Sequence, residues 1–163
     1  MERRQGGQAE RMSLVHRLSV VALLLLGCSA QAQSDARLLE AIGQVESGMD
    51  RRALGKAGER GMYQMGKAAW TDANDLLKLE GHYSFSWGKW KEATAQDMVA
   101  SAHLRVIRRR FSRIGIISPT PEQMAVCWNL GFSAAQSRGF PATGYAQRVA
   151  NLFHLQGKAM QAK

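Results

Sequence analysis

The sequence predicts a mostly α-helical domain of about five helices, with one irregular or hairpin segment after the first helix. Apolar residues recur at helical spacing in five stretches, and glycines follow the ends of most of them. Residues 48–61 are instead rich in glycine and charge, and contain no long apolar run. The chain of 163 residues is long enough for one domain with its own core.

The first two predicted helices flank the irregular segment. Ser34 and Asp35 are the candidate N-cap of the first helix, and Gly48 is its predicted end. Its apolar positions are Leu38, Leu39, Ile42 and Val45. The second helix is marked by Trp70, Ala73, Leu76 and Leu77, and it ends near Gly81. Residues 81–93 follow as an aromatic loop that carries His82, Tyr83, Phe85, Trp87 and Trp90.

Three more helices are predicted after the aromatic loop. Thr94, with Asp97 three residues on, resembles a capping box at the start of the third. Thr120 and Pro121 start the fourth, which stops at Gly131. The apolar positions of the final helix are Tyr145, Val149, Leu152 and Phe153. Gly157 is its predicted end.

The net charge of +9 predicts attraction to a polyanion, which could be nucleic acid, anionic lipid or an acidic polymer. The four histidines are scattered, and neither cysteine has a partner at metal-ligand spacing. We therefore predict no metal and no cofactor. Cys127 is expected to be a buried apolar thiol.

Residues 1–32 have the layout of a secretory signal peptide, with residues 1–11 as an extended n-region. A weakly basic start precedes the apolar run 18–26, and small residues follow it. Two processing routes remain open: cleavage after Ala32, or lipid attachment at Cys28 in a lipobox-like LLGC sequence. Export places the mature domain, residues 33–163, in the periplasm or cell envelope, where nucleic acid is not the expected partner.

Glu46 is the candidate catalytic residue. It lies at the predicted C-terminal end of an apolar helix, where the negative end of the helix dipole and apolar neighbours disfavour a carboxylate. We therefore expect its pKa to be raised, as a general acid for glycosidic cleavage requires. Taken alone, this position also fits a solvated glutamate at a helix end.

The residues around Glu46 resemble the soluble lytic transglycosylase and goose-type lysozyme-like superfamily. Glu46-Ser47 resembles its catalytic Glu-Ser pair, and residues 58–64 (GERGMYQ) resemble its G-A-R-G-L-M-Q segment. Residues 125–131 (AVCWNLG) resemble A-x-x-Y-N-x-G, and residues 144–149 (GYAQRV) resemble the Tyr motif that starts the last helix. These four motifs occur in the family's order. Departures such as Lys67 and Trp128 resemble a compact, phage- or secretion-associated branch.

The resemblance implies an α+β lysozyme-like domain that cleaves peptidoglycan, most simply as a monomer. Glu46 would protonate the oxygen between N-acetylmuramic acid and N-acetylglucosamine, and would then deprotonate the muramoyl C6 hydroxyl to give a 1,6-anhydro product. The matched positions implied to contact substrate or to hold the site are Ser47, Tyr63, Gln64, Asn129 and Tyr145. A secretion or conjugation apparatus is a further partner that the branch implies.

Other functions remain open from the sequence. A second carboxylate among Asp50, Glu59, Asp72 and Asp75 would make the protein a hydrolytic lysozyme. Asp72 and Asp75 are expected to face solvent as spectators. The same fold could also serve as a non-catalytic wall-binding module. A cationic membrane-active protein is the third alternative, and only residues 97–113 approach the basic amphipathic helix that it needs.

Three features have both a structural and a functional interpretation. The basic stretch of Arg105, Arg108, Arg109, Arg110 and Arg113 fits a solvated face better than a wall-binding patch. Trp87 and Trp90 could stack on sugar rings or fill the core beneath the loop. Trp128 could likewise face the substrate or pack in the core.

Overall fold

The computed structural model describes residues 30–161. The chain divides into a leading unit, Met1–Ser34, and a compact unit, Asp35–Lys163. Of the leading unit only residues 30–34 are described, and they are helical. Most of the predicted signal peptide, with Cys28, lies outside the described residues, so both processing routes stay predictions. Between residues 30 and 161, no helix is long and apolar enough to cross a membrane.

The compact unit is mostly helical, which confirms the predicted class. Helix α1 comprises residues 30–47, and α2 is Lys67–Leu79. A 3-10 helix at Trp87–Lys91 leads directly into α3, Ala93–Arg113. The later helices are α4 (Pro121–Leu130), α5 (Phe132–Ser137) and α6 (Gly144–Gln161). The 3-10 helix and α5 were not predicted.

The segment between α1 and α2 is irregular, as predicted, with a trace of hairpin. Isolated antiparallel bridges join Leu54 to Arg60 and Arg60 to Met65. The Arg60 amide donates to the Met65 carbonyl at 3.0 Å, and the Met65 amide returns a bond of 3.1 Å. We call residues 48–66 the connecting segment.

Three predicted helix boundaries are wrong. Ser34 and Asp35 do not cap α1, because residues 30–34 are already helical. Thr94 does not cap α3, because the extended backbone of Glu92 ends the 3-10 helix and its carbonyl accepts from the Gln96 amide at 3.0 Å. Gly157 does not end α6, which continues to Gln161. A Cβ at Gly157 would collide with the Arg37 guanidinium, so this glycine permits close packing.

The start of α4 is confirmed in detail. The Thr120 hydroxyl accepts from the Gln123 amide at 3.2 Å, and the Gln123 side chain accepts from the Thr120 amide at 2.9 Å. This reciprocal capping box, with Pro121 at the first helical position, satisfies backbone donors that would otherwise lack partners. Gly131 ends the helix at φ +78°, a conformation that favours glycine.

Helix α3 contacts both α2 and α4, and α4 also packs against α5 and α6. The core between them is apolar, and its largest fully buried members include Leu38, Ile42, Ile107, Phe111 and Met124. Cys127 is a free, buried thiol, as predicted, and burial raises its pKa to about 12. Helix α1 contributes Leu38 and Ile42 to this core, and α6 contributes Val149.

Candidate active site around Glu46

Glu46 lies in the last turn of α1, half-buried, where the helix ends in a left-handed turn. Gly48 and Met49 have φ of +62° and +70°, and their amides bond back to the Gln44 and Gly43 carbonyls at 3.1 Å. Burial raises the pKa of the Glu46 carboxyl, and the negative charge of Glu59 raises it further. The environment therefore shifts the pKa of Glu46 upward, the direction that the sequence predicts.

Tyr145 contacts the Glu46 carboxyl directly. Its hydroxyl, in the first turn of α6, donates a hydrogen bond of 2.7 Å to Glu46 Oε1. This bond acts to lower the pKa of Glu46, but the effect of burial is larger. Burial beside the carboxylate also raises the pKa of Tyr145, so the phenol keeps its proton and remains a donor. The contact brings the first and last matched motifs together.

Ser47 links the C-terminal end of α1 to the connecting segment. Its hydroxyl donates to the Met62 carbonyl at 2.8 Å. The Met62 amide in turn donates to the Gln96 side chain at 2.8 Å. Ser47 therefore fixes the backbone beside Glu46, the role that the sequence analysis allowed for it.

Gln96, in the first turn of α3, is a structural residue of the site that the sequence analysis missed. It is only 2% exposed, and its side-chain amide donates to the Arg51 carbonyl at 2.9 Å and to the Trp90 carbonyl at 2.7 Å. A Cβ at Gly61 would lie 2.6 Å from Gln96 Oε1, so the glycine leaves room for this side chain. The sequence did contain one signal for this role: Gln96 is a polar residue three positions before Val99, on a helix face that is otherwise apolar.

The Tyr63 side chain is buried and has a structural role. It is 7% exposed, and its hydroxyl donates to Asp97 Oδ1 at 3.0 Å. The Arg51 guanidinium donates two hydrogen bonds of 3.0 Å to the same carboxylate. The Trp128 indole donates to the Tyr63 carbonyl at 3.2 Å, and its ring meets buried His103 edge-on at 5.0 Å. Trp128 therefore packs against the core, which favours the structural interpretation of that residue.

Gln64 and Asn129 do not touch Glu46 among the described hydrogen bonds. Gln64 has φ +44°, and its side-chain amide donates to the Gly61 carbonyl at 2.9 Å. A Cβ at Gly55 would come within 2.6 Å of Gln64 Oε1 and would also collide with Glu59. Asn129 is exposed at the end of α4. Neither amide thus has a described hydrogen bond to the Glu46 carboxyl, and their contact with substrate stays a prediction.

Among the four candidates for a second carboxylate, Glu59 is the one whose charge raises the pKa of Glu46. One carboxylate oxygen of Glu59 accepts from the Ala57 amide at 3.1 Å. Asp50 instead accepts from the Arg52 amide at 2.8 Å. The other two acids are ion-paired: Asp72 with Arg110 at 2.7 Å, and Asp75 with Lys78 at 3.4 Å.

The two tryptophans of the aromatic loop pack against neighbouring side chains of the domain. Trp90 is 8% exposed, and Trp87 meets Trp70 edge-on at 5.5 Å. The Arg60 guanidinium lies over both rings, 4.8 Å from the centre of Trp87 and 5.4 Å from that of Trp90. The two tryptophans therefore hold this loop against the connecting segment, in keeping with their structural interpretation.

The basic stretch of α3 is engaged in ion pairs. Arg105 and Arg109 contact Glu80 at 2.7 and 2.8 Å, Arg110 contacts Asp72, and Arg108 contacts Asp35. Four of its five arginines thus tie α3 to other parts of the domain. No cluster of three or more His, Cys, Asp or Glu side chains within residues 30–161 is placed to hold a metal ion.

No protein-family model, curated protein or solved structure matches this chain.

Proposed function

We propose that the protein is a peptidoglycan lytic transglycosylase with a lysozyme-like α+β domain and Glu46 as its single acid and base. One observation carries the proposal: a half-buried glutamate with a raised pKa accepts a hydrogen bond of 2.7 Å from a half-buried tyrosine. This environment suits an acid that must donate a proton near neutral pH and afterwards accept one. The four motifs that resemble the lytic transglycosylases supply the substrate class.

In the proposed reaction, Glu46 donates its proton to the glycosidic oxygen as the bond from N-acetylmuramic acid to that oxygen breaks. The substrate's own N-acetyl group assists at the anomeric carbon, so no carboxylate nucleophile is required. The Glu46 carboxylate then takes the proton of the C6 hydroxyl, whose oxygen closes the 1,6-anhydro ring. Tyr145 keeps the carboxyl oriented through both transfers, while Gln64 and Asn129 bind acetamido groups.

The C6 hydroxyl belongs to the reacting sugar itself, which explains why it attacks the anomeric carbon in preference to water. The C6 hydroxyl is tethered to the reacting ring, and well-oriented tethered groups reach effective concentrations of roughly 10⁵ M or more. The proposed setting is the periplasm or cell envelope, reached through the signal peptide either in soluble form or with lipid on Cys28. A secretion or conjugation apparatus is the proposed partner machine.

A hydrolytic lysozyme is the second candidate, and the electrostatic influence of Glu59 on Glu46 favours it. In that reaction Glu59 would hold and deprotonate a water molecule opposite the acid. Glu59→Gln would then be nearly as damaging as Glu46→Gln. Under the transglycosylase proposal it should leave most of the activity in place.

A zymogram in a peptidoglycan gel tests the enzyme proposal. Glu46→Gln keeps the shape of the side chain but removes the proton, and loss of a positioned general acid costs on the order of 100- to 10,000-fold in rate. Glu40→Gln makes the same change on the same helix at an exposed position and serves as the matched control. We expect clearing from wild type and Glu40→Gln only. Retention of more than a tenth of the rate by a folded Glu46→Gln protein would end the proposal.

A further inference from the structure

A groove of about 490 Å³ lies between α2 and residues 83–89 of the aromatic loop. None of the residues predicted for the active site lines it. Its wall on the α2 side begins at Lys67, the first residue of that helix. The groove is therefore a feature separate from the catalytic carboxyl and its partners.

Tyr83 is the exposed aromatic of the groove. It is 71% exposed, and its ring meets Phe85 edge-on with centres 4.9 Å apart. Phe85 is anchored in turn, because its carbonyl accepts from the Trp70 indole at 2.8 Å and its amide donates to buried Asn74. The loop therefore presents the Tyr83 ring to solvent from a fixed base, while Trp70 and Trp87, which also line the groove, pack edge-on against each other.

The lining of the groove is cationic. Lys67, Lys78 and Lys89 face it together with a single acid, Asp75. Lys78 pairs with Asp75, and Lys89 pairs with Glu92 at 2.6 Å. Lys67 makes no ion pair within the described chain. The charge of Lys67 is therefore not neutralised by an acid of the described chain. Most of the α3 arginines, in contrast, pair with acids of the domain.

We propose that this groove is an accessory binding site for a peptidoglycan strand that carries peptide stems. The apolar face of a pyranose ring packs against Tyr83, as sugar rings do on aromatic side chains. A carboxylate of a stem pairs with Lys67, which makes no ion pair among residues 30–161. The identity of the polymer rests on the proposed function, whereas the match to an anionic saccharide follows from the groove itself. Such a site would hold the enzyme on an insoluble wall between cleavage events.

Co-sedimentation with purified sacculi tests this site independently of catalysis. All proteins carry Glu46→Gln, so the sacculi stay intact. Tyr83→Ala removes the ring contact and should weaken binding about tenfold. Lys67→Glu reverses one charge and should weaken binding about fivefold at low salt, with a smaller effect at high salt. An acidic residue in the first turn of α2 also suits the helix dipole, so this variant should fold well.

Arg138→Glu is the matched control for total charge, because Arg138 is exposed and makes no ion pair among residues 30–161. It should bind like the parent protein. Converting the stem carboxylates of the sacculi to neutral amides with a carbodiimide and methylamine should erase the effect of Lys67→Glu and keep that of Tyr83→Ala. Binding within twofold of the parent for both groove variants, or an equal loss in Arg138→Glu, would overturn the inference. An inactive wild-type zymogram beside groove-dependent binding would overturn the enzyme proposal and leave the accessory site standing.

Discussion

The hydrogen bond from Tyr145 to Glu46 allows a quantitative test by Tyr145→Phe. The substitution keeps the ring and removes only the hydroxyl, which donates at 2.7 Å to Oε1 of the carboxylate. A hydrogen bond to a charged group is worth about 1.5–3 kcal/mol. If this bond orients the carboxyl in the transition state, its loss lowers kcat/KM by about 10- to 150-fold.

The same variant should change the pH profile in a defined direction. Tyr145 acts to lower the pKa of Glu46, so removing its hydroxyl raises that pKa. Activity that requires protonated Glu46 is lost as the pH rises through this pKa. The alkaline limb of kcat/KM against pH should therefore move to higher pH in Tyr145→Phe, although the maximum is lower.

The assay is turnover of soluble glycan fragments across a pH series, with thermal unfolding as the check on folding. The double variant Tyr145→Phe with Glu46→Gln provides the control, since the phenol should matter little once the acid is gone. A folded Tyr145→Phe protein with at least half the wild-type rate would refute the reasoning. So would an alkaline limb that stays in place or moves to lower pH.

Three further predictions follow from the site and the chain. Glu46→Gln should raise Tm at neutral pH. The pKa of Glu46 is higher in the folded than in the unfolded protein, so ionised Glu46 destabilises the fold at any pH above the unfolded pKa. That gain should shrink as the pH falls toward the ordinary range of glutamate, and an equal gain at low pH would contradict it. Gln96→Ala should lower the free energy of unfolding by about 2–4 kcal/mol by leaving buried backbone groups unpaired, whereas exposed Gln136→Ala should stay within about 0.5 kcal/mol in the same urea titration. Cys28→Ala should release the protein from the membrane fraction if the lipobox is used, and absence of fatty-acid label on wild type would exclude that route.

The helical part of the fold was predictable because its signals are local. Leu38, Ile42 and Val45 recur at helical spacing, and Gly48 and Gly131 end their helices in conformations that favour glycine. Gly157 carries the same local signal but has a different cause. It lies inside α6, where the Arg37 guanidinium approaches it, and no local pattern distinguishes a helix stop from a glycine within a helix.

The candidate site was predictable only where motifs joined distant residues. Glu46 and Tyr145 are 99 positions apart, and the order of the motifs is what paired them. Gln96 was missed because its partners are backbone groups of Arg51, Met62 and Trp90, which leave no trace in side-chain spacing. The roles of Tyr63 and Trp128 depended on tertiary packing for the same reason.

The product of sacculus digestion tests the central claim most directly. Mass spectrometry separates the 1,6-anhydro sugar from the reducing sugar, because the two differ by one water molecule. With Glu46 as the only acid and base, wild-type digests should contain mainly anhydro ends, and Glu59→Gln digests should contain the same product. Mainly reducing ends from wild type, lost in Glu59→Gln, would contradict the transglycosylase assignment and make the protein a hydrolytic lysozyme.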